Sequence, residues 1–432
     1  MSETTLRALP PPPSVTRWTI LIFVSLAMFG NYYVYDSLGP VVSLLKSDLN
    51  YSEQQIGFLI SVYNFGAIGA LLIGGIIIDR FGTKTALALF ASICFIGAVV
   101  TAISPIYEVM ATGRFIVGLG SEPLIVAATT ILAKWFNGKE LSLAFGINLS
   151  ISRFGSASAD WSTNFASPLY SNWQDPLWLA TAFAGISVTA ALLYWSMEKR
   201  CEGRFNLSVA AATDKLKLRE LFHFNQRYWF IVALCVVFYA TIFPFRSFAI
   251  NYFEQAHGLT HEASGLLNSM MMISAIVATP LFGLLIDKVG KRGLFMTLGC
   301  LLMLPMFLAI TYLPPGVPIM LFGNAIPLTL LVIMLLLGCV FSLVPAALWP
   351  SVAYAVDARR LGTAYATMTL CQQVGWSIVP LVVTKLNAMN NAGADNVAGY
   401  AAGMWFYTGL VFIGLVFAFL LWRDDNPPAV IR

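Results

Sequence analysis

Only 11% of the 432 residues are charged and 58% are hydrophobic, whereas about a quarter of a water-soluble domain is charged. Too little polar surface is present to cover a soluble particle of this length, which excludes a soluble enzyme or nucleic-acid binder and leaves a membrane protein. The net charge of +4 then has to be read from where Lys and Arg fall, not from a nucleic-acid partner.

Residues 1–16, with prolines at Pro10 to Pro13, read as a flexible tail without the pattern of a cleavable signal peptide. Apolar spans long enough to cross about 30 Å of hydrocarbon as helices follow. Six, at 18–36, 55–78, 85–103, 107–133, 141–167 and 176–196, make an N-terminal bundle over 17–197. A polar linker at 198–227 holds seven basic residues between Lys199 and Arg227. Six more, at 228–252, 263–286, 293–312, 328–353, 361–383 and 400–422, make a C-terminal bundle over 228–423 with a tail at 424–432. The expected fold class is therefore an all-α membrane protein of twelve transmembrane helices in two six-helix bundles.

With both termini inside, the inner loops and tails hold 20 of the 25 Lys and Arg, and the outer loops hold only Lys46 and Lys385. Cytoplasmic loops are enriched in these residues, so the termini are expected to be cytoplasmic. Arg114, Arg153 and Arg246 remain, inside spans. Cys94, Cys235, Cys300, Cys339 and Cys371 fall in spans and Cys201 in the linker, a spacing that suits neither disulfides nor a metal.

The turn GGIIIDRFGTK ends the second span and GLLIDKVGKR ends the eighth, giving G-x-x-x-D-[RK]-x-G-x-[KR] twice, 208 residues apart. A repeat at matching places of two six-helix halves is the mark of a duplicated transporter. Gly75, Asp79, Arg80, Gly82 and Lys84, with Gly283, Asp287, Lys288, Gly290 and Arg292, are the candidate conformational residues. The glycines permit a tight turn and an aspartate can meet a helix N-terminus.

On these residues the chain resembles the major facilitator superfamily, in which this loop motif is diagnostic and recurs in both halves. Arg114, Gly118 and Gly120 on the fourth span resemble the superfamily's second motif, which implies packing and coupling between the fourth and first helices. The glycine- and proline-bearing antiporter signature of the fifth helix is absent, which favours uniport or symport. The runs NYYVYD, GRFIVGLGSEPLIVA, WFNGKELSLAFGINLSISRFGS, SLVPAALWPSVA and LGTAYATMT also resemble the superfamily's family of lysosomal dipeptide uniporters.

Charges inside the bilayer need a partner or a cavity. Glu122 lies roughly 12 Å deeper than Arg114 along the fourth helix, and Arg153 about 21 Å along the fifth from Lys139, at 1.5 Å per residue. An acid and a base thus share one depth near the midplane. Either they form a buried salt bridge, of little net stability, or they stand apart around a cavity and receive the two ends of a zwitterion. In the second case Glu122 accepts an ammonium and Arg153 forks a carboxylate. The resemblance implies these roles, with Glu122 on the N-terminus and Arg153 on the C-terminus of a dipeptide.

Asn31, Tyr32 and Tyr35 on the first span, Tyr63 and Asn64 on the second, Trp349 between Pro345 and Pro350 on the tenth, and Gln372, Gln373 and Trp376 on the eleventh are candidate cavity walls. Prolines break a membrane helix where a cavity can satisfy the freed carbonyls. Arg246, near the outer end of the seventh span, is included among the substrate-site candidates, either as a snorkelling arginine or as an extracellular gate. Asp36 and Asp160, at outer helix ends, read as solvated vestibule residues.

The expected function is secondary transport of dipeptides by alternating access, as a uniporter that acts as a monomer in the lipid bilayer without cofactor, metal or nucleic acid. Whether an accessory subunit takes part is left open. No phosphate loop is present to couple ATP. Proton symport through Glu122 of another small zwitterion or organic anion is the alternative, and a non-transporting receptor or assembly subunit is the alternative of another class. A membrane hydrolase would want an embedded histidine, but His223 lies in the linker and His257 and His261 in an outer loop. A bacterial inner membrane is the expected location, with a lysosomal membrane as the one the resemblance implies.

Overall fold

The computed structural model describes residues 10, 12–136, 140–202, 204–205, 224–356 and 360–425, apart from the side chains of Leu72, Asp79, Ser142, Leu361 and Asp425. The remaining linker and tail residues, His223 and the Asp79 side chain lie outside the described residues.

The first half comprises α1 (Ser14–Asp36), α2 (Val42–Leu49), α3 (Glu53–Ile103), α4 (Tyr107–Trp135), α5 (Leu141–Phe165) and α6 (Gln174–Cys201). The second comprises α7 (Gln226–His257), α8 (His261–Val289), α9 (Arg292–Tyr312), β1 (Pro318–Leu321), β2 (Asn324–Pro327), α10 (Leu328–Ala355), α11 (Leu361–Met389) and α12 (Ala401–Asp425). Among the described residues ten helices are long and apolar enough to cross a membrane. The helix α5 falls outside that count because Asn148, Arg153, Asp160 and several serines interrupt it, and all of these are buried. Its polar residues face protein, while Leu284, Ile73 and Phe412 stay exposed on the outer belt of their helices. An exposed apolar belt with buried polar groups is what a lipid solvent selects.

The second and third sequence spans are the two legs of α3, which reverses at Gly82 (φ 79°, ψ 159°). That conformation is open to glycine and costly for residues with a Cβ. Gly290 ends α8 in the left-handed region (φ 74°), its N–H donating to the Ile286 carbonyl at 2.8 Å. The loops carry their charges differently: Lys84 pairs with Glu202 past the end of α6, Arg80 lies over the Phe81 ring, and Asp287 meets Arg292 at 3.6 Å. Lys288 is exposed, while Gly75 and Gly283 are half-buried. The repeat reaches further than the loops, since Ser52 caps α3 and Thr260, also 208 positions on, caps α8.

Two elements were not expected from the sequence. The short helix α2 follows a turn at Gly39–Val41, and Asn50 in the left-handed region (φ 55°) stops it. Between α9 and α10, β1 and β2 form a hairpin whose turn, Phe322-Gly323, has positive φ at both positions, the geometry that matches strand twist.

Helices α5 and α8 pack together across the two halves, as do α3 and α11. Both pairs meet at the face that bears α2 and the hairpin, here termed the far face, opposite the Gly82 and Gly290 turns. A Cβ built at Gly57 would run into the Thr384 hydroxyl of α11, and one at Gly265 into Thr163 and the Asp160 carbonyl of α5. Close approach of backbones here requires glycine.

Candidate functional site

The helix α1 sends Tyr32 and Tyr35 toward the centre, where both keep partial exposure between the buried Asn31, Tyr33 and Val34. On α4, Glu122 is likewise half-buried between buried Ser121 and Pro123. Its carboxylate lies within hydrogen-bonding reach of Tyr63 on α3 and of Gln373 on α11, so one group comes from each half. Pro123 interrupts α4 beside it and packs on Gly74.

Arg153 on α5 is buried, donates to the Ala275 carbonyl of α8 at 3.0 Å and bonds the Thr279 hydroxyl. Its guanidinium lies 5.1 Å from the centre of the Phe341 ring, an attractive placement for a cation. Among the described residues no ion pair joins Glu122 to Arg153. The Tyr32 hydroxyl lies in the field of both charges, with Glu122 the stronger influence. The acid and the base are thus not paired to each other, yet both lie near enough to Tyr32 for their charges to act on its hydroxyl.

The second half closes this space with aromatic rings. Trp376 stacks near Phe243 (4.4 Å between centroids), and both lie 6.3 Å from Tyr35 across the halves. Trp349 donates its indole N–H to the Tyr239 hydroxyl at 2.8 Å, and the Trp349 carbonyl accepts from Tyr365 at 3.1 Å. Tyr239 lies in turn in the field of Arg153. Tyr239, Phe243 and Phe341 were missed in the sequence, where aromatic residues in apolar helices carry no distinguishing signal.

Other candidates fall elsewhere. Asn31 is buried inside the first half, its side-chain oxygen facing the Cys94 thiol. Gln372 is buried against Cys235 of α7. Arg114 donates to the Val34 and Tyr35 carbonyls of α1, both at 3.1 Å, with its guanidinium 5.6 Å from the Tyr63 ring. It thereby satisfies carbonyls that the last turn of a helix leaves free. Gly118 brings α4 against α3, since a Cβ there would strike the Tyr63 carbonyl.

Arg246 corrects the snorkelling reading. It is 2% exposed and donates to Asp36 at 3.0 Å and to Asp160 at 2.7 Å. Asp36 and Asp160 are correspondingly not solvated vestibule residues but buried anions, and Asn268 donates to Asp160 at 2.9 Å. Desolvation of one charge made pairing with the others necessary. The cluster joins α1 and α5 to α7 and α8, and Lys46 on Asn251 (2.7 Å) with Ser43 on Glu254 extends the closure of the far face. A small void of about 20 Å³ near Asn387 and Tyr407 lies off the central charges and is not the candidate site.

The profile of the family described as Major Facilitator Superfamily matches residues 24–380. The chain is 29% identical over 427 residues to a lysosomal dipeptide transporter MFSD1 of Danio rerio, covering 95% of this chain and 87% of the relative. To the Homo sapiens protein of that name it is 30% identical over 384 residues, covering 85% and 79%. Among solved structures, a D-xylose-proton symporter superposes with a TM-score of 0.71 at 17% identity, covering 95% of this chain and 98% of that one. The nucleoside transporter NupG superposes with the same TM-score of 0.71 at 16% identity, covering 94% and 99%. With a profile spanning most of its length, a duplicated turn motif and two packed halves around central charges, the chain belongs to the major facilitator superfamily.

Proposed function

We propose that this protein carries dipeptides across its membrane by alternating access. One observation supports this reading above the others: Glu122 and Arg153 are not paired to each other, and the charges of both act on Tyr32. A dipeptide offers an ammonium and a carboxylate several ångströms apart, and this arrangement offers a receiver for each. The relatives named for dipeptide transport match over 95% and 85% of the chain. The rings of Tyr35, Phe243 and Trp376 supply apolar surface for peptide side chains.

Orientation follows the basic residues: the Gly82 and Gly290 turns lie at the cytoplasmic face and the far face looks outward. In the closed arrangement of the far face, the site is reached from the cytoplasm. The protein works as a monomeric uniporter, in a bacterial inner membrane, and Arg246 with its two aspartates is the outer gate.

Purified protein in liposomes, offered labelled dipeptides, free amino acids, sugars and organic acids with and without a proton gradient, tests the proposal. Dipeptide uptake driven by the peptide gradient alone is expected. Uptake of sugars or organic acids in place of dipeptides would overturn the substrate, and an absolute need for the proton gradient would overturn uniport.

A further inference from the structure

A buried guanidinium without an acceptor is costly in low dielectric, and a uniporter has to return with an empty site. Arg153 has protein acceptors of its own on α8. The Ala275 carbonyl of α8 accepts from Arg153 at 3.0 Å, from the Thr279 hydroxyl at 2.7 Å and from the Ser342 hydroxyl of α10 at 3.0 Å. Thr279 also bonds Arg153 and approaches Ser342 at 3.0 Å. Ser342 is fully buried, and Pro280 follows Thr279 directly within the helix. A proline there removes a backbone N–H and bends the helix, which sets this knot of oxygens toward α5.

We infer that Thr279, with the Ala275 carbonyl and Ser342, is a neutral stand-in for the substrate carboxylate, holding Arg153 while the unloaded carrier passes through its occluded state. When a peptide enters, its carboxylate takes the guanidinium and the knot keeps only its internal bonds. The inference rests on the assignment of Arg153 to the peptide carboxylate. Thr279 is thus a positioning residue that acts on the return of the empty carrier, and its removal weakens net transport more than exchange, because exchange never requires an empty return.

The test compares, for one labelled dipeptide, net uptake into empty proteoliposomes with uptake into liposomes preloaded with the same unlabelled dipeptide. Thr279→Val is expected to raise the ratio of exchange to net uptake about fivefold, the scale of one polar contact between membrane helices. Thr279→Ser, which restores the hydroxyl, is expected to restore the wild-type ratio. If Thr279→Val yields no folded protein, Thr279→Ala carries the same expectation. An unchanged ratio in a folded variant that still transports dipeptide overturns the stand-in. A wild-type protein that moves no dipeptide in either format instead overturns the substrate reading beneath it.

Discussion

Arg246 of α7 holds Asp160 of α5 at 2.7 Å across the boundary between the two halves, with side chains only 1% and 3% exposed. Asp36 shares the same guanidinium at 3.0 Å. Breaking such a buried pair by removing one partner costs about 3–5 kcal/mol, because the remaining charge is stranded. Arg246→Gln strands two carboxylates in the closed far face and leaves them free to hydrate when it opens. The far face is therefore expected to open in this variant, with transport lost. Labelling of Ser43→Cys by an impermeant maleimide added from that side should speed up by at least about tenfold, a shift of 1.4 kcal/mol. Unchanged labelling would show that the cluster only packs.

The spans and the repeated turn were legible because they rest on local properties, apolar length and glycine at a positive φ. The partners of Arg246 were not, since they lie 210 and 86 positions away in the chain. Gln372 and Gln373 show a second limit. Neighbours on a helix point about 100° apart, so one of the pair reaches Glu122 while the other packs on Cys235, and nothing local says which. The hairpin and α2 escaped because each is too short to cross a membrane and is held partly by residues distant in the chain, Asn164 and Trp161 for the hairpin and α7 for α2.

Glu122→Gln tests the acid directly. A hydrogen bond to a charged group contributes about 1.5–3 kcal/mol, so dipeptide affinity is expected to fall about tenfold to a hundredfold. The sharper readout is discrimination: wild type should reject an N-acetylated dipeptide, and Glu122→Gln should reject it far less. Equal discrimination in both proteins, measured by competition for uptake, would remove Glu122 from the ammonium site.

Gly82 and Gly118 separate two kinds of glycine. At Gly82 a Cβ meets nothing within 4 Å, so Gly82→Ala costs only the strain of a backbone conformation that glycine alone adopts readily (φ 79°, ψ 159°), about 1–3 kcal/mol. At Gly118 a Cβ strikes the Tyr63 carbonyl oxygen and comes within 3.1 Å of the Ala67 nitrogen. Backbone atoms cannot rotate away, so α4 must move off α3 and carry Glu122 with it. Overpacking of this kind costs about 1–3 kcal/mol or more. Gly118→Ala is therefore expected to lower both the melting temperature and peptide affinity, and Gly82→Ala the melting temperature alone. A normal affinity in Gly118→Ala would show that the α3 and α4 contact does not place the site.

Gly57 and Gly265 occupy equivalent places in the repeat, 208 positions apart, and each admits the opposite half at the far face. A larger side chain at either place opposes closure there without touching the central charges. Gly265→Leu would press on Asp160 and Thr163, and Gly57→Leu on Thr384. Because the far face must close for the site to open on the other side, each variant should bind dipeptide with near-normal affinity yet transport it poorly, and the double variant should be inactive. Binding by thermal shift alongside liposome uptake separates the two effects. If both variants transported normally, closure at these glycines would not be a step of the cycle; if binding fell with transport, the contacts would belong to the integrity of the fold.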